Sequence, residues 1–175
     1  MRLKDKVAVV TGAGRGIGKE VALSYAREGA CVVVADLDEE PGEEAVAEIK
    51  DNGGKGLFVR TDVSVREGVQ NLLDSGVNEF GGVDIWVNNA GVIRPAMIHK
   101  MTDEQWELVI NVHLKGTFLG VQIAARHMME RKSGRIINVT SRAGTAGTIG
   151  QINYSAAKAG ITGITKSAAR ELARY

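Results

Sequence analysis

The stretch Val7-Ala-Val-Val-Thr11-Gly12-Ala13-Gly14-Arg15-Gly16-Ile17-Gly18 decides the fold. A β-branched apolar run passes straight into a glycine-rich turn. The turn passes into an amphipathic helical pattern carried by Ile17, Val21, Ala22, Tyr25 and Ala26. Strand, glycine turn and helix in that order form a cradle for phosphate. Gly12 permits a sharp turn, Gly16 has no Cβ to hold a pyrophosphate off the backbone, and Gly18 lets the helix pack close to the strand. The unpaired N–H groups at the helix start then face the anion with the positive end of the helix dipole. A bare glycine pattern is weak evidence, because glycine-rich loops are common; here the strand before it and the helix after it are both present.

Outward from this unit, strand-length apolar runs alternate with longer helical patterns. Cys31 to Ala35 is a second strand ending in Asp36, and a helix with Pro41 in its first turn follows to about Lys50. Gly56 to Arg60 is a third strand ending in Asp62-Val63, and Ser64 with Glu67 predicts a capping box that opens the next helix. Asp84 to Val87 is a fourth strand, running into Asn88-Asn89-Ala90-Gly91. Thr102 with Gln105 predicts a second capping box, opening a long helix to about Arg131. Arg135 to Thr140 is a fifth strand, and a small-residue loop from Ser141 to Gln151 leads to a last helix over about 153–174. Near-continuous Val/Ile runs mark strands buried on both faces. The fold class is therefore α/β, a doubly wound parallel sheet in the order 3-2-1-4-5 with helices on both faces and the ligand beyond the carboxyl ends of the strands.

Composition narrows the function classes. The 175 residues carry a formal net charge of +1 with no basic block, which disfavours nucleic acid as a partner. No uninterrupted apolar run approaches the roughly 20 residues that span a bilayer, so no membrane partner is expected. Met1 to Lys6 leads directly into the first strand and does not resemble a signal peptide, and the single Cys31 leaves no internal disulfide. A cytoplasmic setting is the expectation. Cys31 begins an apolar run and reads as a small buried hydrophobe. His99, His113 and His127 share no short spacing and read as ordinary polar positions, with no metal site expected.

Two further constellations carry chemistry. Asp36 ends the second strand 24 residues after Gly12, where a carboxylate accepts hydrogen bonds from ribose hydroxyls and repels a 2′-phosphate. That favours NAD over NADP. The alternative is a solvated turn acid, since Asp38, Glu39 and Glu40 follow, and Arg15 is close enough to meet a 2′-phosphate. Tyr154 and Lys158 stand four residues apart on one helical face. A cation beside a phenol favours the phenolate, which suits Tyr154 to move a proton to or from an oxygen. Such pairs also occur on solvated helices by chance. Ser141, 13 residues before Tyr154, lies at the ligand edge and can hydrogen-bond a substrate oxygen, or be a simple turn serine.

Thr11-Gly-Ala-Gly-Arg-Gly-Ile-Gly18, Asp62-Val63, Asn88-Asn-Ala-Gly91, Asn111, Ser141 and Tyr154-Ser-Ala-Ala-Lys158 together resemble the short-chain dehydrogenase/reductase family, in its order and spacing across nearly the whole chain. The resemblance implies a Rossmann-type fold. It implies that Tyr154 is the catalytic acid/base, that Lys158 binds the nicotinamide ribose, that Ser141 holds the substrate carbonyl, and that Asn111 sits at a break in the long helix where its backbone carbonyl holds a water. By the same resemblance the cofactor lies along Gly12, Arg15, Gly16, Ile17, Gly18, Asp36, Asp62, Val63, Asn89, Gly91, Tyr154 and Lys158, with Asp62 at the adenine amine and Asn89 at the adenosine ribose.

Gly150-Gln-Ile-Asn-Tyr154 and Lys166-Ser-Ala-Ala-Arg-Glu171 resemble the 3-oxoacyl-acyl-carrier-protein reductase branch, which usually takes NADP and lacks an acid at the Asp36 position. Asp36 therefore points instead to an NAD-linked dehydrogenase of a hydroxyacyl compound, a sugar or a cyclic alcohol. Gly116 and Gly120, four apart on an apolar helix, predict close helix contact; the resemblance implies that this helix pairs with its symmetry mate, the small face of Ala156, Ala159, Gly160 and Gly163 supports the same idea, and a homodimer or homotetramer is expected. Family members continue past the last helix with a sixth strand, a substrate lid and a seventh strand. Residues 1–175 are thus expected to be one dinucleotide-binding domain, incomplete at the C-terminus and lacking the last strands. An inactive nucleotide-binding fragment is the rival expectation.

Overall fold

In a computed structural model, which describes residues 1–175, five parallel strands alternate with helices. They are β1 (Val7–Thr11), α1 (Gly16–Arg27), β2 (Cys31–Asp36), α2 (Glu39–Asp51), β3 (Lys55–Arg60), α3 (Arg66–Phe80) and β4 (Ile85–Asn88). Then follow α4 (Asp103–Val109), a π turn (Ile110–Lys115), α5 (Gly116–Arg131), β5 (Arg135–Asn138), α6 (Ala143–Ala146) and α7 (Ile152–Leu172). The sheet order is β3-β2-β1-β4-β5, as expected. Val9 of β1 lies opposite Val33 of β2 on one side and Trp86 of β4 on the other.

Two cores flank the sheet, and β1 supplies both by simple alternation. Val7 and Val9 point into a cluster with Val69 and Leu72 of α3 and Leu119 and Ile123 of α5. Ala8 and Val10 point into the opposite cluster, with Ala22 and Leu23 of α1 and Ala45, Val46 and Ile49 of α2. This is why these strands read as unbroken apolar runs: both faces are dry. Each buried valine contributes about 1.5–3 kcal/mol of hydrophobic stabilisation. Cys31 is partly buried against the first cluster, consistent with a packing role.

α4, the π turn and α5 form one continuous helical rod over 103–131, long and apolar enough in length and composition to cross a membrane. More than half of its most apolar window is buried inside the protein, as in a core helix. Trp106 and Phe118, both in its apolar series, remain part exposed.

Four expectations are corrected by the structure. The capping box at Ser64 does not form: its hydroxyl donates to Asp62 Oδ1 at 2.7 Å, and α3 starts at Arg66 with Val65 at its N-cap and no side-chain cap. The Thr102–Gln105 box forms in full. The fifth strand ends at Asn138, not Thr140, because the Thr140 hydroxyl turns to the carbonyl of Lys158 at 2.9 Å and draws the chain toward α7. The loop after it contains the short helix α6. Gly116 and Gly120 face inward: a Cβ on Gly116 would meet Val63 at 3.1 Å, and one on Gly120 would meet Asn88 and Trp86. On α7, Gly160 lies against Leu114 of the same chain. The close contacts those glycines allow are thus intramolecular.

Candidate functional site

The glycine turn is held from below by β4. Thr11 Oγ1 donates to the Val87 carbonyl at 3.2 Å and accepts from the N–H groups of Asn89 and Ala90 at 3.0 and 3.1 Å. Asn89 Nδ2 donates to the carbonyls of Thr11 and Gly12 at 2.9 and 3.1 Å. The Asn89 amide is thus committed to pinning the turn. Gly12 (φ 63°) has no room for a side chain, since a Cβ would lie 2.7 Å from Ala90 Cα. Gly16 (φ 57°) has nothing within 4 Å, so the turn is open on its outer side. No side chain caps α1, which leaves its first N–H groups for a ligand.

At the other end of the groove, Asp36 Oδ2 accepts the N–H of Gly14 at 2.9 Å, and Oδ1 accepts the N–H of Asp38 at 3.2 Å. Gly14 allows this closeness, for a Cβ there would meet Asp36 Oδ2 at 3.0 Å and Pro41 at 3.1 Å. The Arg15 guanidinium lies 2.6 Å from Asp38 Oδ2. Asp62 Oδ1 also accepts the N–H of Ser64, at 2.9 Å.

A groove of about 520 Å³ runs along the carboxyl ends of the strands. Gly12, Arg15, Ile17, Gly18, Asp36, Asp62, Val63, Asn89, Gly91, Tyr154 and Lys158 all line it. Gly16 and Asn111 do not. Ser141 lies in an adjoining cavity of about 520 Å³ with Ile93, Arg142, Gln151 and Tyr154. Tyr154 lines both. A third cavity, about 550 Å³ between α5, β5 and α7, contains none of the expected site residues.

The start of α7 is fixed by Asn153, which is 1% exposed. Its Nδ2 donates to the carbonyls of Arg94 and Gln105 at 3.0 and 3.1 Å, and its Oδ1 accepts the Tyr154 N–H at 2.8 Å. Lys158 is buried, its Nζ 5.6 Å from the centre of the Tyr154 ring, within cation–π range. The ammonium donates to the Val139 carbonyl at 2.7 Å, and burial lowers its pKa. Ser141 Oγ accepts the Ala143 N–H at 3.2 Å, and its own proton is left to donate. Asn111 stands in the π turn with its side chain exposed, and its carbonyl accepts the N–H of Gly116 across the widened turn. The expected break in the long helix is this π turn, a feature common at functional sites.

His113, read from sequence as an ordinary polar position, is buried beneath Tyr154, its ring edge-on at 5.1 Å between centroids. Its Nε2 lies 3.0 Å from the Val92 nitrogen and 2.8 Å from the Val92 oxygen, and the tautomer decides which is bonded. Nδ1 has no partner. Gly91 makes room for the ring, since a Cβ there would collide with His113 Cε1. The signal was present in the spacing: Val109, His113, Thr117 and Gly120 fall on one face of the rod, and all four are buried.

Burial pushes the His113 pKa down to about 4; the Val92 carbonyl opposes the change and the Lys158 charge adds to it. The unfolded chain, near 6.5, therefore binds the proton more readily, and stability falls as pH drops from about 6.5 through about 4. At about 1.4 kcal/mol per tenfold change in proton affinity, this group removes about 3 kcal/mol over that window. Urea unfolding at pH 7 and pH 4.5 should show a smaller acid loss in His113→Gln than in the unmodified protein. An equal loss in both would assign the acid sensitivity to other groups.

The model of the short chain dehydrogenase family matches residues 6–175. The chain belongs to that family. Short chain dehydrogenases are oxidoreductases, and the relatives found are named as dehydrogenases and reductases. A 3-oxoacyl-acyl-carrier-protein reductase of Synechocystis is 45% identical over 172 residues, covering 98% of this chain and 70% of its own. A hydroxyacyl-CoA dehydrogenase of Mycobacterium tuberculosis is 46% identical over 186 residues, with 99% of this chain and 58% of its own covered. The crystal structure of a short chain dehydrogenase from Mycobacterium avium superposes with a TM-score of 0.96 at 39% identity, over all of this chain and 65% of the other. The chain thus spans between about three fifths and seven tenths of the length of these relatives.

Proposed function

We propose that this short chain dehydrogenase is an NAD-dependent oxidoreductase that moves a hydride between nicotinamide and a secondary alcohol or ketone. The observation that carries the reading is Tyr154, which lines both the dinucleotide groove and the cavity of Ser141 and, unlike Ile93 beside it in both, carries a proton to transfer. The residues present fit a dinucleotide: an uncapped helix start, an open glycine turn and a carboxylate at the far end. Gly12 to Gly18 would hold the pyrophosphate, Asp36 the adenosine ribose, and Lys158 the nicotinamide ribose. Bound there, the nicotinamide supplies or accepts the hydride at carbon.

The chain's own residues handle the oxygen. Ser141 donates a hydrogen bond to it. Tyr154 gives it a proton in reduction or takes one in oxidation. Lys158, held by Val139, places its ammonium 5.6 Å from the centre of the phenol ring. The backbone carbonyl of Asn111 holds a water that returns the proton to solvent. Asp36 supports NAD over NADP, since a second anion would face its carboxylate.

The substrate proposed is a 3-hydroxyacyl thioester, by analogy with the hydroxyacyl-CoA and 3-oxoacyl relatives. The apolar Ile93 and Ala146 in the substrate cavity support it over a sugar. The 3-oxoacyl-acyl-carrier-protein reductase relatives favour a second reading, NADP-linked reduction. A panel of secondary alcohols and 3-hydroxyacyl thioesters, each assayed with NAD and NADP by nicotinamide absorbance, separates the two. Turnover of the thioester with NAD is the expected result; faster turnover with NADP selects the second reading, and binding without turnover of any alcohol removes both.

A homo-oligomer is also proposed, through the outer faces of α5 and α7. The apolar groove there, with Phe118, Val121, Met129 and Ile164, supports it. A monomeric sedimentation coefficient at micromolar concentration would refute it.

A further inference from the structure

We propose that Asp38 is a cofactor-specificity residue, which holds Arg15 in an ion pair and so withholds that guanidinium from a 2′-phosphate. The proposal rests on the reading of the groove as an NAD site.

Asp38 occupies the N-cap of α2, where an aspartate oxygen ordinarily accepts an N–H from the first turn of its own helix. It makes no such bond. Its carboxylate instead crosses to Arg15, 23 residues earlier, at 2.6 Å. Arg15 is itself the N-cap of α1. The pair therefore joins the starts of two helices, and both of its members line the groove. Asp36 holds this arrangement in place, through Gly14 on the α1 side and the Asp38 N–H on the α2 side.

The charges decide what the corner accepts. Arg15 and Arg60 are the guanidinium groups near Asp36. Arg60, beside Asp36 in the β2–β3 register, turns its Nε to the Leu37 carbonyl at 3.2 Å. Arg15 is matched by Asp38. A phosphate dianion arriving beside Asp36 thus meets that carboxylate and an Arg15 whose charge Asp38 already matches; Arg60 keeps its charge, with only its Nε engaged. A ribose diol, which carries no charge, meets only acceptors for its hydroxyl protons. The Arg15–Asp38 pair is exposed on both sides, so its effect is bounded: about fivefold in binding is the upper end for such a pair.

A double-mutant cycle tests this. Dissociation constants for NAD and NADP are measured by calorimetry on the unmodified protein, Asp38→Asn, Arg15→Gln and the double variant, with circular dichroism melting as the check of folding. Asp38→Asn should tighten NADP by about three- to fivefold relative to NAD. In the Arg15→Gln background the same substitution should change that ratio by less than about 1.5-fold, because the released partner is gone. An unchanged ratio in Asp38→Asn overturns the proposal. So does an equal gain in both backgrounds, which would mean that Asp38 acts through its own charge alone. If the unmodified protein binds NADP more tightly than NAD, the NAD reading fails and the proposal with it. If NAD is preferred but the cycle shows no coupling, only the proposal fails.

Discussion

Tyr154→Phe should lower kcat by about 10²- to 10⁴-fold while leaving the dissociation constant for NAD within a few-fold of the unmodified protein. That loss corresponds to about 3–5.5 kcal/mol of barrier. The substitution removes one oxygen and leaves the rest of the site standing. The phenyl ring still offers its face to Lys158 and its contact to His113. The Tyr154 N–H still binds Asn153, and Lys158 still donates to Val139. What is lost is the phenolic proton donor between the dinucleotide groove and the Ser141 cavity. Steady-state kinetics and calorimetry on one preparation check the split between binding and turnover. Loss of NAD affinity as large as the loss of turnover would make Tyr154 a structural residue.

The parallel sheet was legible because its strands obey a rule visible in one dimension. A strand dry on both faces is apolar at every position, as in Val7–Thr11 and Cys31–Asp36, and each such run is followed by a helix that returns the chain. The groove was legible for the same reason, since the ends of consecutive parallel strands meet at one edge. The outcome of competing hydrogen bonds and contacts, near in the chain or far, was not legible. Ser64 and Thr102 carry the same capping pattern, but only Ser64 has an aspartate two residues before it to take its hydroxyl. Gly116 and Gly120 announced a close neighbour without saying whose atoms it would contribute. Asn111 entered the site reading by resemblance alone, because a π turn depends on tertiary packing that a periodicity of 3.6 does not encode. Asn153 is fixed by Arg94 and Gln105, 59 and 48 residues earlier, and no local pattern points to them.

Gly18→Ala should destabilise the protein by about 2 kcal/mol or more and weaken NAD at least tenfold, although alanine is the better helix former. Position 18 lies in the first turn of α1, where replacing glycine by alanine would gain about 1 kcal/mol from propensity alone. The new Cβ, however, would collide with the carbonyl oxygen of Gly12. Backbone cannot rotate away as a flexible side chain can, so α1 must shift from β1, and overpacking of this kind costs about 1–3 kcal/mol or more. The shift also reaches Asn89, whose Nδ2 holds Gly12 and Thr11 and would lie against the same Cβ. Freeing that amide loosens the turn and moves the helix start from the phosphate position, which is why binding falls together with stability. Gly163→Ala is the matched control. It sits in α7 with nothing of its own chain within 4 Å of a Cβ, so in melts run dilute enough to keep the protein monomeric the propensity gain of up to about 1 kcal/mol stands unopposed. Thermal melts should therefore move in opposite directions, down by about 4–8 °C for Gly18→Ala and up by up to about 4 °C for Gly163→Ala. A Gly18→Ala protein that melts no lower and binds NAD as before would show that α1 can leave β1 without cost, and the cradle would then owe nothing to their close contact.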